Sequence, residues 1–316
     1  MTKKVVIDCD VGVDDALALI LAFHSPELNV EAVTGVNGNV PLDVVFQNIQ
    51  KVLSLIRPKN KPLIAKGADR PPKGEAVYAY SFHGKSGLGR AKIEQEGGEQ
   101  RHQLFSGQAD ELITKLARQH PNELTLIAVG PLTNVALALQ RDLEGMKKLK
   151  EVVIMGGAVR VKGNVTPYAE FNIFVDPLAA KIVFESGLPI TLVPLDVTHQ
   201  VCFTPKVIEE RVKPLNNLFS QFVVEATQYN SRTQRFLEDT EVFYLHDPLA
   251  VGVAINRDLV GMERLSIHVG TENGEYYGQT KEVKGHPRIN ACLSINSRSF
   301  LELFLSRLSS FVKFKT

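Results

Sequence analysis

The chain has no tryptophan, and aromatic residues of any kind make up only 7% of it, so a large flat ligand cannot be sandwiched between indole rings. Cysteine is also scarce. Cys9, Cys202 and Cys292 are widely separated and form no CxxC pair, which excludes a zinc ribbon, a dithiol redox motif and a disulfide-dense scaffold. A reducing cytoplasm is the expected setting. Charge of one sign is missing too: 36 Lys and Arg face 35 Asp and Glu, so no whole-molecule field attracts nucleic acid or an anionic membrane surface. No apolar run approaches the roughly 18 residues of a membrane span; the longest obvious one covers residues 16–23. Lys3 and Lys4 lead into an apolar strand broken by Asp8, which leaves no room for the apolar region of a signal peptide.

What the chain does have is material for a sizeable core. Hydrophobic residues make up 44% and charged residues 22%, which excludes disorder and collagen-like repeats. Short β-branched runs alternate with helical patterns: 5–7, then 16–23, then 30–36, then 44–56, and again 125–129, 133–140, 152–155, 177–185 and 190–195. This order predicts a single α/β domain over residues 1–316. Its mainly parallel, mixed central sheet would carry helices on both faces, as a Rossmann-like open sheet. Near-continuous apolar strands such as residues 124–129 (LTLIAV) support burial of both faces. Two stretches depart from the alternation. Residues 66–100, rich in Gly, Pro, Tyr and charge, are too long for an ordinary connection and read as a functional loop region. Residues 215–236 read as one long helix, followed by a polar segment at 237–241.

Residues 5–16, VVIDCDVGVDDA, carry the strongest chemical signal. In an open α/β sheet ligands bind beyond the carboxyl ends of the strands, and here Asp8, Asp10, Asp14 and Asp15 arrive at such an end. Capping of the following helix accounts for one carboxylate but not four. A hard divalent cation with oxygen ligands resolves their repulsion. An EF-hand loop beginning at Asp8 fails, because Val13 and Leu19 stand where it needs glycine and glutamate. A HAD-type phosphohydrolase also begins with a strand and Asp-x-Asp, but Gly12 replaces the usual Thr or Val, and no downstream Asp pair follows. Gly84-Lys85-Ser86 imitates the end of a P-loop whose first glycine would fall at Ala79.

The Asp8-x-Asp10-x-x-x-Asp14-Asp15 signature resembles that of the inosine-uridine nucleoside hydrolases, which cleave the N-glycosidic bond of ribonucleosides. The resemblance continues through Gly38-Asn39, His83-Gly84 with Gly87-Leu88-Gly89, Gly130-Pro-Leu-Thr-Asn134, Met155-Gly-Gly157, Ala169-Glu-Phe-Asn172 with Asp176-Pro177, and His246-Asp247-Pro248. Each motif alone is weak; in this order they are specific.

The resemblance implies a Ca²⁺ ion held by Asp10, Asp15, Asp247 and the backbone carbonyl of Val129. Taken alone, Asp247 reads as a cap on the helix begun by Pro248. The resemblance also implies that Asp10 takes the proton of the attacking water, that Asp14, Asn39 and Asn172 hold the ribose 2′ and 3′ hydroxyls or the water, and that Glu170 and Asn164 hold the 5′ hydroxyl. Asp8 is expected to support the metal ligands rather than bind the ion. His246 is the expected helper of the departing base, since an imidazole titrates near neutral pH. His83 contacts base or sugar, or is a solvated loop residue. Asn134 reads as a helix-start residue without a catalytic part, and Cys9 as buried packing. His24, His102, His120, His199, His268 and His286 show no metal-binding spacing and read as surface or packing residues.

For base recognition the helix at 215–236 offers Gln228, Tyr229, Arg232 and Arg235, groups able to hydrogen-bond a base but equally suited to a solvated helix face. Purine-specific members of the family grip the base between tryptophans, which this chain lacks. The expectation is therefore a hydrolase of uridine, with cytidine and inosine as further substrates, in nucleoside salvage or catabolism, and by family resemblance a homo-oligomer (dimer or tetramer). A Ca²⁺-containing nucleoside-binding protein without turnover is the non-enzymatic alternative.

Overall fold

The computed structural model describes residues 2–93, 102–234, 242–285 and 287–309, with the backbone alone for residues 228–234. Its strands are β1 (Lys3–Cys9), β2 (Leu28–Gly35), β3 (Leu63–Lys66), β4 (Gln103–Gln108), β5 (Leu124–Ala128), β6 (Glu151–Met155), β7 (Ile190–Val193), β8 (Cys202–Phe203), β9 (Phe243–Tyr244), β10 (Val260–Val269), β11 (Thr280–Val283) and β12 (Arg288–Ile295). Ten of them form one sheet in the order β11-β10-β12-β7-β6-β5-β1-β2-β3-β4, and β8 pairs with β9 in a small separate ribbon. From β12 to β4 the neighbours are parallel. β10 and β11 are antiparallel additions at one edge.

Side chains alternate across a strand, so one apolar run feeds two cores. Val5, Ile7 and Cys9 of β1 enter a core with the helices Val13–Phe23, Leu42–Ile56, His246–Ile255 and Ser297–Ser309. Val6 points the other way, into a core with Ala109–Gln119, Thr133–Arg141 and Pro177–Glu185. Burial on both faces explains why these strands lack the polar alternation of a half-exposed sheet. Helix starts follow their sequence signals: the Asp176 carboxylate accepts from the Ala179 amide at 2.9 Å, with Pro177 in the first turn.

The chain leaves β1 toward β2, β3 and β4, then returns to build β5, β6 and β7 on the other side of β1. This reversal opens a crevice at the carboxyl end of β1, where an open α/β sheet binds its ligands. The acidic segment emerges there.

The α/β expectation holds, including helices on both faces. The long helix is observed as Leu218–Gln234, and Arg235 with the segment 237–241 lies outside the described residues. Region 66–100 contains a short helix, Tyr80–His83, and its P-loop look-alike sits in the turn after it, with Gly84 at φ 71°, rather than between a strand and a helix. Among the described residues no helix is long and apolar enough to cross a membrane.

Candidate active site

Asp15 stands in the first turn of helix Val13–Phe23, where its Oδ1 accepts from the Asp10 amide at 3.1 Å and its Oδ2 from the Gly12 amide at 2.8 Å. It is thus the helix cap that the sequence anticipated. The neighbouring carboxylates are not consumed in this way: Asp8 Oδ2, Asp10 Oδ1 and Asp14 Oδ1 are buried without a hydrogen-bond partner. Asp247, from the first turn of helix His246–Ile255, completes a group with Asp14 and Asp15 in which one oxygen of each lies within 4.8 Å of the others. Asp10 belongs to the same cluster through its electrostatic contact with Asp15 and Asp247.

Such crowding has an electrostatic signature. Burial raises every one of these carboxyls: Asp14 and Asp15 to about 6, and Asp10 and Asp247 well above the ordinary range, where repulsion from neighbouring aspartates adds to burial. No Lys or Arg is among the described lining residues of the adjoining cavity. Bare carboxylate oxygens without a protein cation make a donor set of hard oxygens, and a hard divalent cation fits it.

Asp8 is held differently. Its Oδ1 accepts from Thr34 Oγ1 and from Asn134 Nδ2, and burial raises it to about 7. Asn134 also donates to the Gly35 carbonyl at 3.0 Å and accepts from the Ala68 amide at 2.8 Å, tying together the carboxyl ends of β1 and β2 and the segment that follows β3. Cys9 is buried, and its thiol points at the Thr34 carbonyl. Cys9 is buried as the sequence reading expects, whereas Asn134, read as a helix-start residue, also joins three strand ends through its side chain.

Beside the aspartates lies a cavity of about 550 Å³ lined by Asp14, Asn39, His83, Val129, Asn164, Glu170, Asn172, His246 and Asp247, among others. These side chains come from turns after several strands, gathered at one sheet edge. Asn39 donates its backbone amide to Asp10 Oδ2 at 2.6 Å and its side-chain amide to Asp15 Oδ2 at 3.1 Å. Asn172 donates to the Val129 carbonyl at 2.8 Å, which leaves a second lone pair on that oxygen. Glu170 caps its own short helix by accepting from Asn172 and Ile173, and also accepts from Gly157 at 2.9 Å; burial raises its pKa against these bonds. Asn164 Oδ1 accepts from the Phe171 amide at 3.0 Å.

His83 and His246 face the same cavity. His83 Nδ1 accepts from the Val13 amide at 3.1 Å, and His246 Nδ1 pairs with Thr198 Oγ1 at 2.7 Å. Burial lowers His83 to about 4 and His246 to about 3. His246 is therefore a neutral imidazole here, not one poised near pH 7 as its type alone suggests.

One expectation needs correction. His199, read as a surface or packing residue, lines the cavity: it follows the turn Leu195–Thr198 at the carboxyl end of β7, and its ring lies 4.9 Å from Tyr244 and 5.6 Å from His246. Tyr244, also unforeseen, lines the cavity 5.6 Å from His246. The usable signal was position, since each residue directly follows or flanks a segment already assigned to that sheet edge. His24, His102, His120 and His268 are not among the lining residues, and His286 lies outside the described residues. Gln228, Tyr229 and Arg232 fall on helix Leu218–Gln234, where only the backbone is described.

The pattern of the family described as inosine-uridine preferring nucleoside hydrolase matches residues 5–302. The chain is 36% identical over 321 residues to the pyrimidine-specific ribonucleoside hydrolase RihA of Salmonella gallinarum, covering 98% of this chain and 99% of that one. It is 35% identical over 298 residues to the inosine-uridine preferring nucleoside hydrolase of Crithidia fasciculata, covering 92% and 91%. The solved structure titled plant nucleoside hydrolase, PpNRh1 enzyme, superposes with a TM-score of 0.91 at 30% identity, covering 98% of this chain and all of that one. These likenesses displace the phosphohydrolase and binding-protein alternatives. The chain belongs to the inosine-uridine preferring nucleoside hydrolase family and is a ribonucleoside N-glycosidase.

Proposed function

We propose that the chain is a Ca²⁺-dependent hydrolase that accepts uridine, with cytidine and inosine as further substrates, and releases free base and ribose in nucleoside salvage or catabolism. The observation that carries this reading is the buried group of Asp14, Asp15 and Asp247, with Asp10 close by, at a cavity also lined by Glu170 and Asn172 and, among the described residues, by no Lys or Arg. Asp10, Asp15, Asp247 and the Val129 carbonyl would hold Ca²⁺. When bound, Ca²⁺ supplies positive charge that orients ribose hydroxyls and lowers the pKa of a water at the site.

The remaining work falls to the chain's own groups. As the base departs, the ribose gains oxocarbenium-like positive charge, which the surrounding carboxylates stabilise. Asp10, with its Oδ1 free of hydrogen bonds, takes the proton of the attacking water. Asp14, Asn39 and Asn172 hold the 2′ and 3′ hydroxyls, and Glu170 and Asn164 hold the 5′ hydroxyl. A site built around hydroxyls leaves its own polar groups unpaired when one is missing, so 2′-deoxyribonucleosides are poor substrates. His246, neutral through burial, assists the base as a hydrogen-bonding imidazole rather than a charged acid.

Uridine acceptance rests on the wall of the cavity. His83, His199, Tyr244 and His246 offer rings with polar edges in place of tryptophan, which suits a base rich in exocyclic oxygens. Cytoplasmic location and a homo-oligomeric state belong to the same proposal, from the cysteine usage and the family resemblance respectively. The test is release of reducing sugar from uridine, cytidine, inosine and adenosine, each with and without a chelator. Activity on uridine that chelation abolishes and Ca²⁺ restores is expected; activity confined to purine nucleosides, or indifferent to complete metal removal, overturns the reading.

A further inference from the structure

The Glu170 carboxylate is aimed by three backbone amides. Those of Asn172 and Ile173 come from its own helix start, but the third, from Gly157, belongs to the turn after β6. That turn has no regular structure of its own to hold it, and Gly157 sits at φ 81°. Backbone bonds to Val193 and Leu195 and the Asp196 carboxylate hold it on the β7 side, and on the hairpin side it is held by Thr280, the first residue of the edge strand β11 and only 2% exposed. Its Oγ1 accepts from the Ala158 amide at 2.8 Å and donates to the Ala158 carbonyl at 2.9 Å. A Cβ on Gly157 would stand 3.0 Å from the same oxygen, so the turn and the hydroxyl are packed in contact.

The same hairpin grips the other segment that carries Glu170. Ala169 bridges to Gln279, and the rings of Tyr168 and Phe174 pack against Tyr276 at 4.9 Å and Tyr277 at 5.4 Å. At Gly278 a Cβ would come within 2.9 Å of the Phe174 backbone, so the approach is as close as a chain allows. Residues 276–280, far from the cavity in sequence and absent from its lining, thus clamp Glu170 from both directions.

We propose that Thr280 is a positioning residue for recognition of the ribose 5′ hydroxyl, acting through the Gly157 amide on the aim of Glu170; the proposal rests on the reading that Glu170 holds that hydroxyl. A threonine hydroxyl donates and accepts at once, whereas valine of the same shape does neither. Thr280→Val leaves the amide and carbonyl of Ala158 buried and unpaired, the turn shifts to find partners, and the Gly157 amide moves with it.

The experiment compares kcat/KM for uridine and 5′-deoxyuridine in the wild-type holoenzyme, Thr280→Val, Thr280→Ser and Glu170→Gln. Thr280→Val is expected to lose roughly tenfold on uridine and less than about twofold on 5′-deoxyuridine, and Thr280→Ser to keep the wild-type ratio. The ratio of the two substrates is independent of the folded fraction, so a loss of stability cannot imitate the effect. Equal losses on both nucleosides in Thr280→Val, or no loss, overturn the proposal while Glu170→Gln still discriminates between them. If Glu170→Gln lowers both nucleosides equally, the reading of Glu170 itself fails and the proposal with it.

Discussion

The backbone amide of Val13 donates to Nδ1 of His83 at 3.1 Å. An amide nitrogen has no lone pair to offer, so Nδ1 carries none of the ring's protons and the neutral imidazole keeps its proton on Nε2. Gly12 permits the approach, because a Cβ there would stand 2.7 Å from Nδ1 and 2.8 Å from Asn39 Nδ2. A segment that starts as an acidic loop therefore also sets the tautomer of a ring seventy residues away. With its pKa lowered to about 4 by burial, His83 presents one fixed N–H throughout the neutral range. Nitrogen-detected NMR of the resting protein should show the Nε2–H tautomer, with no titration of this ring between about pH 6 and pH 8. A ring that titrates near 6.5, or an Nδ1–H signal, contradicts the assignment.

Asp10→Asn should lower turnover far more than it weakens sugar binding. Its Oδ2 is occupied by the Asn39 amide, while Oδ1 is free to accept a proton. Loss of a positioned base costs on the order of 10²–10⁴ in rate. Steady-state kinetics on uridine decide, and near-wild-type kcat at saturating substrate would remove Asp10 from the role.

Without the proposed cation, stability should depend on pH in a particular direction. Folded-state values of about 7 for Asp8 and about 6 for Asp14 and Asp15 exceed the ordinary 3.8, so the folded chain keeps protons that the unfolded chain has already released. The stabilisation from these groups is full below about pH 4 and is lost as pH rises through 6 and 7. Thermal melts of chelator-treated protein should therefore show Tm falling from about pH 5 to about pH 8, and added Ca²⁺ should cancel the fall by replacing the protons. A cation-free Tm that rises over this range, or a melt indifferent to Ca²⁺ at the upper end, would refute the electrostatic account. Elemental analysis of the untreated protein should find about one Ca²⁺ per chain.

Local sequence determined much of this protein. Alternating apolar runs and helix signals such as Asp176-Pro177 dictate the βαβ order, because strand and helix periods are written in consecutive residues. The spacing of Asp8, Asp10, Asp14 and Asp15 places four carboxylates at one strand end, and burial then leaves an oxygen of Asp8, of Asp10 and of Asp14 without a hydrogen-bond partner. Tertiary structure alone decided the rest. Nothing near Thr280 in the chain mentions Glu170, since the antiparallel hairpin meets the 156–158 turn only after β10 has paired with β12 and β11 with β10. His199 became a cavity wall because β7 delivers its carboxyl end to the same edge as its parallel neighbours, and Tyr244 because the separate β8–β9 ribbon sets its ring against His199 and His246. The protonation of His246 was likewise invisible in its residue type. An imidazole titrates near neutral pH in water, and only its enclosure among buried neighbours, with His199 and His83 close by, pushes it to about 3.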